Sequence, residues 1–423
     1  MKALWLYTHT HTHTHTSSFN EQIKNEVAIT LVALVVTIIV LILLAGVSIS
    51  LVIGDNGIIQ KATKGREDYT GATINEQQDL NKIEDYIEDS ANGIVLIENV
   101  KGGSYFESPT TVKDTNGNLI KVPQGFKIAE DSGLNVTEGI VIEDNDIIEG
   151  IGNGRGNQYV WVPVGNGIKK SDGTEVNITL GRYDFNSDGR PGLYQNAANY
   201  TREVTITGYY KELATSRVGK ADSSNSHNYT NTNTTALNLK GFVDSVKENG
   251  GYYIARYEAS YGTDGKANSK VSNTASASTP NQEGQLWNNI TQVNAATASR
   301  NLYNTVNSDL INSYAWDTAI VYIQNFSGDT DYSKQDGKSI NSSLANTGAN
   351  SDEKCKINDM ASNIWEWTTE YCTASNIDGA YPFTYRGGYY GAGSESVYGA
   401  GTRWFPSEVR RLSSVSFRCA LYM

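Results

Sequence analysis

Residues 29–53 restrict the fold of this chain more than any other part, because they contain no charged side chain. Their sequence, ITLVALVVTIIVLILLAGVSISLVI, interrupts its apolar residues only with threonine, serine and glycine. About 20 apolar residues suffice for a helix to cross a bilayer, so we predict a transmembrane helix. The alternatives are weaker, because a soluble core helix of this length usually has a polar face and a secretory signal has a shorter apolar region.

The composition favours a loop-rich, partly β protein outside the cell. The chain has 423 residues, which predicts two or three structural units, and it contains 40 glycines and 26 tyrosines. Its net charge of -12 argues against nucleic-acid binding, which needs a basic surface. Lysines lie on both sides of residues 29–53, so charge does not determine the orientation of the helix.

Residues 1–28 are interpreted as a leader or a low-complexity start. They include the tract THTHTHTHT, which holds four of the five histidines. Alternating imidazoles bind metal ions, but a dinucleotide repeat in the gene gives the same peptide, and we favour that explanation. The fifth histidine, His227, lies in a polar low-complexity segment that predicts a surface loop. One histidine in a large folded region is little for acid–base or metal catalysis.

Residues 54–92 predict a helical stalk after a Gly-Asp-Asn-Gly turn. Apolar residues recur at three-four spacing among dense charges, which indicates a solvated helix. It either packs against neighbours in a fibre or serves as a plain spacer. Residues 93–117 alternate in polarity and end in Asn116–Gly117, which predicts a hairpin or linker before the main domain.

The stretch DFNSDG, which begins at Asp184, imitates the start of a calcium loop. Such a loop needs a bidentate glutamate at its twelfth position, where this chain has Gln195. We therefore predict an ordinary solvated turn.

The apolar helix resembles the N-terminal helix of type IV pilin-like proteins of Gram-positive bacteria, over about residues 29–62. This chain has Ala28 where the family usually has glycine before the cleavage point, and Ala33 where many pilins carry an acidic residue. The resemblance implies a membrane anchor through residues 29–53, an extracellular C-terminal head, and a location at the cell surface or in a pilin-like assembly.

A second resemblance begins near residue 118 and extends to the C-terminus. It depends on the order of seven motifs: VPQGFKI, GNQYVWVPV, GGYYIARYEAS, SYAWDTAIVYI, NDMASNIWEWTTEYC, YRGGYY and SFRCALYM. In this order they resemble the formylglycine-generating-enzyme-like (sulfatase-modifying factor) family, which has a C-type-lectin-type fold. The resemblance implies an α+β head over residues 118–423, carried on the N-terminal helix and stalk.

The motif NIWEWT suggests a framework role. On an extended strand Trp365 and Trp367 face one side, while Glu366 faces the other and needs a partner. The resemblance implies a structural calcium ion, bound by the carboxylates of Asp359 and Glu366 and the carbonyls of Ser362 and Ile364. Ser362 replaces the usual glycine there. The alternative is that Glu366 pairs with an arginine such as Arg386, which with Arg418 is expected to tie loops together.

The family's oxidase activity needs two cysteines after the Arg-Gly-Gly motif. This chain has Ala392 and Val397 at those positions, and neither can form a thiolate. We therefore predict no catalytic residue and no enzyme of this type. The resemblance places Cys419 where relatives carry structural cysteines, so a bridge between Cys372 and Cys419 is one expectation. The Glu-Pro-Asn, Gln-Pro-Asp and Trp-Asn-Asp motifs of sugar-binding C-type lectins are not in the sequence.

Residues 386–418 are rich in tyrosine, serine, glycine and alanine, a composition similar to that of antibody binding loops. They resemble the C-terminal segment of variable proteins of diversity-generating retroelements, in which adenine mutagenesis of Asn-type codons yields these residue types. Glu395, Glu408 and Trp404 are not reachable in this way and are expected to be fixed. A fixed, loop-rich surface is the alternative. The candidate ligand-binding residues are Tyr389, Tyr390, Gly391, Ala392, Ser394, Ser396, Val397, Tyr398, Trp404, Phe405, Ser407, Ser413 and Ser414.

These patterns predict an adhesin-like cell-surface protein that binds an extracellular protein or glycan through its C-terminal segment. The alternatives are a minor or structural pilus subunit and, disfavoured by positions 392 and 397, a formylglycine-generating-type oxidase. No cofactor is required by the first two functions.

Overall fold

The structure is a computed structural model that divides the chain into two compact units, one ending at Glu88 and one running from Asp89 to Met423. It describes residues 15–54, 57–202, 204–212, 236–334, 343–349, 352–372, 383–390, 399–404 and 412–423, with side chains from residue 31 onward.

The first unit consists of two long helices, α1 (His15–Ile53) and α2 (Ile58–Ala91), the second of which ends just beyond the division. In the described part of the chain, one helix is long and apolar enough to cross a membrane, and its apolar stretch is residues 31–53. Its large apolar side chains are exposed. Thr37 Oγ1 donates to the carbonyl of Ala33 at 2.6 Å, so the hydroxyl is satisfied within the helix. The predicted long apolar helix is confirmed.

The second unit mixes helices and sheets, which confirms the predicted α+β class. Its α-helices are α3 (Ile97–Val100), α4 (Leu239–Asn249), α5 (Gln292–Ser299) and α6 (Ser313–Phe326). The strands before α4 are β1 (Ile94–Leu96), β2 (Thr110–Lys113), β3 (Leu119–Val122), β4 (Lys127–Ile128), β5 (Val141–Glu143), β6 (Gln158–Pro163), β7 (Gly165–Lys169), β8 (Glu175–Ile178), β9 (Gly181–Phe185), β10 (Pro191–Asn196) and β11 (Tyr210–Lys211). The later strands are β12 (Gly251–Ala255), β13 (Ser260–Tyr261), β14 (Ala267–Asn268), β15 (Asn307–Leu310), β16 (Glu353–Lys354), β17 (Ile357–Asn358), β18 (Trp365–Cys372), β19 (Phe383–Arg386), β20 (Arg403–Trp404), β21 (Val415–Phe417) and β22 (Cys419–Tyr422).

The β2–β3 hairpin follows from local turn chemistry. Gly117 has a φ of +89°, which a glycine adopts without strain. Asp114 Oδ1 accepts the backbone N–H groups of Asn116 and Asn118 at 2.9 and 2.7 Å. Val112 lies in the core of the second unit, so the boundary placed by the sequence between residues 117 and 118 falls inside this hairpin.

The larger sheet has six strands in the order β15-β22-β12-β6-β5-β4, all antiparallel. Every residue of β6 and β12 is buried, as expected for central strands covered on both faces. Trp161 and Tyr253 are neighbours in register, with ring centroids 5.0 Å apart.

The second sheet has five strands. They run in the order β11-β18-β19-β20, and β21 pairs in parallel with the first half of β18. Helix α6 contacts β6 and β12 of the larger sheet and β18 of the smaller one. It is almost entirely buried, and the side chain of Asn312 caps its first turn by accepting the N–H of Ala315. Helix α6 therefore joins the two sheets and supports the smaller one from within.

The segment beginning at Asp184 forms the turn between β9 and β10, as predicted. The N–H of Gly189 donates to the carbonyl of Asn186 at 2.8 Å. The amide of Gln195 donates to the carbonyl of Arg202, so its side chain is engaged in local structure.

Candidate functional site

One face of the smaller sheet carries a row of aromatic rings. The rings of Trp365 and Tyr385 stack with centroids 4.6 Å apart, and Trp365 lies 3.9 Å from Tyr389. Tyr390 extends the row, with its ring 5.9 Å from that of Tyr389. Stacked and edge-on aromatic pairs contribute about 0.5–1.5 kcal/mol each beyond the area they bury. The row therefore holds the residues after the Arg-Gly-Gly motif against the sheet.

Trp404 lies beside this row and reaches solvent. It is opposite Tyr385 in the β19–β20 register, so both side chains are on the same face of the sheet. Its side chain is 44% exposed, whereas Tyr385 is 4% exposed. We call Trp365, Tyr385, Tyr389, Tyr390 and Trp404 the aromatic patch.

A glycine permits the turn that leads to the patch. Gly387 has a φ of +89°, and a Cβ there would lie 2.7 Å from the carbonyl oxygen of Met360. Any side chain at this position would be strained and would also meet backbone. Gly387 of the Arg-Gly-Gly motif is therefore needed for the path of the chain.

The structure brings some of the predicted ligand-binding residues together. The backbone carbonyl of Ser414 accepts the backbone N–H of Trp365 at 3.1 Å, and that of Ser413 accepts the side-chain amide of Asn288 at 2.9 Å. Ser414 therefore adjoins Trp365 at the border of the patch, and Ser413 precedes it in the chain. The other predicted residues lie outside the described residues: Gly391, Ala392, Ser394, Ser396, Val397, Tyr398, Phe405 and Ser407.

Sequence reasoning does not identify two members of the patch. It assigns Trp365 to the framework with Trp367, but Trp365 is only half-buried while Trp367 is 1% exposed. It does not single out Tyr385. The position of Tyr385 immediately before the Arg-Gly-Gly motif is the available signal, because it places this residue near the end of β19 and close to the turn at Gly387.

The opposite face of the sheet carries buried charges. Glu366 lies opposite Arg386 in the β18–β19 register, and Arg386 lies opposite Arg403 in the β19–β20 register. Arg386 is fully buried. It donates to Asp317 of α6, to Glu370 Oε2 at 3.3 Å and to the carbonyl of Thr402 at 2.8 Å.

Three arginines surround Glu370. Arg182 Nη2 donates to its Oε1 at 2.7 Å, and Arg403 Nε donates to the same oxygen at 3.0 Å. Burial by itself would raise the pKa of Glu370, but the charges of Arg403, Arg386 and Arg182 lower it to about 2. The carboxylate is therefore ionised at every physiological pH. Through the three arginines it connects β9, β19 and β20 to β18.

Glu212 lies next to this network, but its pKa is raised whereas that of Glu370 is lowered. It is buried at the end of β11, where Oε2 accepts the N–H and the hydroxyl of Ser313 at 2.8 and 2.9 Å. Oε1 accepts the hydroxyl of Thr369 at 2.7 Å. Burial is the main cause that raises the pKa of Glu212 to about 7, although these hydrogen bonds and Arg182 oppose it.

The partner of Glu366 is Arg418 and not Arg386. Arg418 Nε donates to Glu366 Oε2 at 2.6 Å, and Nη2 donates to Oε1. The same guanidinium donates to the carbonyls of Ala255 and Asn358, at 3.2 and 2.9 Å. Arg386 is directed to Asp317 and Glu370, because α6 covers that part of the face.

The predicted calcium ligands lie in a buried segment, and the side chains of three of them have hydrogen-bond partners within the protein, while calcium binding there stays a prediction. Both oxygens of Glu366 bind Arg418, and Asp359 Oδ2 accepts the N–H of Gly348 at 2.7 Å. Ser362 donates its hydroxyl to Asp352, and Ile364 is buried. Over the described residues, no three His, Cys, Asp or Glu side chains are grouped to hold a metal ion.

Another buried carboxyl, Glu258, adds to the acidic character of this region. Burial and the neighbouring charges of Asp359 and Glu366 raise the pKa of Glu258 well above its ordinary value. The acid form is therefore favoured. With Glu258 in its acid form, the guanidinium of Arg418 offsets one of the two charges that Asp359 and Glu366 carry when ionised.

The expected bridge between Cys372 and Cys419 is wrong. All three cysteines are described, all are buried, and none forms a disulfide. Cys372 ends β18 of the smaller sheet, whereas Cys419 begins β22 of the larger one. Burial raises the pKa of Cys355 and of Cys419 to about 12, which keeps both as unreactive thiols.

Compared with known proteins, the chain matches no family model, no curated protein and no solved structure. The interpretation of the aromatic patch therefore depends on its geometry and on the sequence motifs.

Proposed function

We propose that this protein is a membrane-anchored, cell-surface ligand-binding protein of the adhesin type. Its anchor is the apolar part of α1, and its head displays the C-terminal segment as the binding surface on a lectin-type scaffold. The observation that carries the proposal is the contrast within one sheet. Ion pairs fix one face, and the other face carries aromatic rings that are half-buried at Trp365 and Tyr389 and exposed at Trp404.

The aromatic patch supports a binding role through its chemistry. Tyrosine and tryptophan provide large, rigid contact areas at a low cost in conformational entropy, and they are the residues most enriched at binding hot spots. Trp404 is exposed and Tyr389 and Tyr390 are half-buried, so all three offer ring surface to a partner. An extracellular protein or glycan is the partner class that we propose.

We further propose that the edge of the patch is diversified by a retroelement. Tyr389, Tyr390, Ser413 and Ser414 have residue types that mutagenesis of Asn-type codons yields. Of these, Tyr389 and Ser414 contact the half-buried Trp365. The proposal includes no formylglycine-generating oxidation, because Ala392 and Val397 supply no thiol.

Sequencing the 3′ end of the gene across many cells of one population tests this proposal. We expect substitutions to cluster between residues 389 and 414, to leave Trp404, Glu395 and Glu408 unchanged, and to accompany a near-copy of the segment in the flanking DNA. An invariant segment without a near-copy would contradict diversification.

A pilus subunit is the second candidate function, and the exposed apolar surface of α1 favours it. Residues 31–53 expose apolar side chains around the whole helix, which suits either lipid or neighbouring helices. Recovery of the chain as a regular component of purified pili would support this function, and its recovery only in the membrane fraction would oppose it.

A further inference from the structure

Asn363 connects the interior of the head to the aromatic patch. It lies just before β18, and it is 1% exposed. Its backbone carbonyl accepts the N–H of Tyr390 at 2.8 Å, so it holds the backbone of a predicted ligand-binding residue. Its side-chain oxygen accepts the N–H of Ala345 at 3.0 Å.

The conformation of Asn363 explains why an asparagine stands there. Its φ is +59°, in the left-handed region where asparagine is among the few enriched non-glycine residues. A glycine would adopt the same backbone conformation but would lack the amide. The amide nitrogen donates to Glu258 Oε2 at 2.6 Å, and this contact is buried on both sides.

Glu258 contributes to this arrangement from the interior. It follows β12, is fully buried, and has its Oε2 in contact with Asn363. A buried amide that loses its acceptor keeps the cost of having been removed from water, so the pair keeps the Asn363 side chain in one orientation. The backbone of Asn363 is fixed with it.

We infer that Glu258 and Asn363 are positioning residues for ligand binding by the aromatic patch, a role that rests on the proposed function. Glu258 fixes the amide of Asn363, and the carbonyl of Asn363 fixes the backbone of Tyr390. The ring of Tyr390 contacts Tyr389, which stacks on Trp365. Neither Glu258 nor the Asn363 side chain belongs to the patch itself.

Trp365 provides an internal reference, because its backbone N–H is bonded to Ser414 and not to Asn363. Loss of the Glu258–Asn363 contact should therefore release Tyr390 while Trp365 stays protected. A general loss of folding would release both amides. The difference between the two separates positioning from stability.

Amide hydrogen exchange of the full chain in detergent, read at Tyr390 and Trp365, tests the inference. We expect Asn363→Gly to keep the left-handed backbone and to accelerate exchange at Tyr390 about 10-fold or more, with less than about a threefold change at Trp365. Glu258→Ala should do the same. Glu258→Gln keeps an oxygen that accepts the Asn363 amide and should remain within about threefold of the unmodified protein at both positions.

Nitration by tetranitromethane, mapped by peptide mass, provides a second readout that needs no ligand. We expect Tyr389 and Tyr390 to be nitrated several-fold faster in Asn363→Gly than in the unmodified protein, and at the original rate in Glu258→Gln. The inference is overturned if Tyr390 exchanges at the same rate in all variants, or if Trp365 changes as much as Tyr390.

The two proposals can fail separately. An invariant gene segment would count against the proposed diversified surface but would leave the exchange results unaffected. A variable segment combined with unchanged exchange at Tyr390 would sustain the proposed function and overturn the positioning role.

Discussion

The two faces of the smaller sheet are formed by the same strands but are stabilised by different kinds of contact. On the face toward α6, each buried charge has a specific partner, as in the pair of Glu366 with Arg418. On the other face the ring of Trp365 stacks on that of Tyr385 and lies against that of Tyr389. The charged contacts require particular atoms at particular distances, whereas ring contacts tolerate changes of shape at their edge.

This difference suggests how a scaffold can hold an exchangeable surface. A buried ion pair is expensive to break because the remaining charge has no compensation, so the charged face must stay constant. Exposed side chains away from special features usually change stability by less than about 0.5 kcal/mol. Tyr389, Tyr390, Ser413 and Ser414 are half-buried, so we expect changes at these positions to cost more than this but less than a broken buried ion pair.

The largest effect should come from breaking the charged face. Arg418→Met leaves Glu366 buried without its partner, and we expect the free energy of unfolding to fall by about 3–5 kcal/mol. Arg190→Met is the matched control, because Arg190 forms an ion pair that is 81% exposed at the arginine and should matter little. Urea denaturation of both variants measures the difference. Equal losses would contradict a special role of the charged face.

The next effect concerns Glu212 and pH. Its pKa is about 7 in the folded protein against an ordinary value of 4.5, so the folded state holds a proton that the unfolded state releases. Its contribution is complete below about pH 4.5 and is lost as the pH rises to about 7, a change of about 3 kcal/mol. We expect Glu212→Gln to remove this part of the pH dependence in denaturation curves between about pH 5 and 8. An unchanged slope in the variant would show that Glu212 does not titrate in this range.

A smaller effect distinguishes two positions within the aromatic patch. Trp365→Ala removes two ring stacks and should cost about 1–3 kcal/mol. Trp404→Ala removes an exposed side chain and should cost about 0.5 kcal/mol or less. Thermal unfolding of the two variants, compared with the unmodified protein, measures both. A larger loss for Trp404 would mean that the patch is packed more like a core than a surface.

The smallest expected effect follows chelation of calcium. Arg418 binds both oxygens of Glu366, so the charge of this carboxylate is compensated within the protein. We expect the melting temperature in EGTA and in millimolar CaCl₂ to agree within about 1 °C, since binding to the folded state alone would raise it. A rise of several degrees with CaCl₂ would support the calcium prediction and contradict this expectation.

Local sequence signals predict part of this structure well. The apolar helix follows from composition over residues 29–53, and the turn at Asn116–Gly117 follows from the chemistry of two neighbouring residues. For Glu366 the sequence leaves two possible partners, a calcium ion or an arginine such as Arg386. The choice of arginine depends on strand register and on the position of Asp317 in α6.

The aromatic row is harder to predict, because it depends on long-range packing. Tyr389 reaches Trp365 only after the turn at Gly387, and Trp404 joins through a separate strand. The alternation of Trp365 and Trp367 indicates that both share a face, but not that one lies near the surface. The hypervariability of the whole segment stays a prediction.

A substitution library sorted by protease resistance tests most directly whether one face of the sheet is exchangeable. Tyr, Ser, Gly, Ala, Val and Phe would be placed singly at Tyr389, Tyr390, Ser413 and Ser414, and in a second set at Glu366, Arg386 and Arg418. We predict that most members of the first set keep the resistance of the unmodified head and that most members of the second set lose it. If the two sets are equally sensitive, the smaller sheet has no exchangeable face, and its division into a constant charged face and a variable aromatic one is wrong.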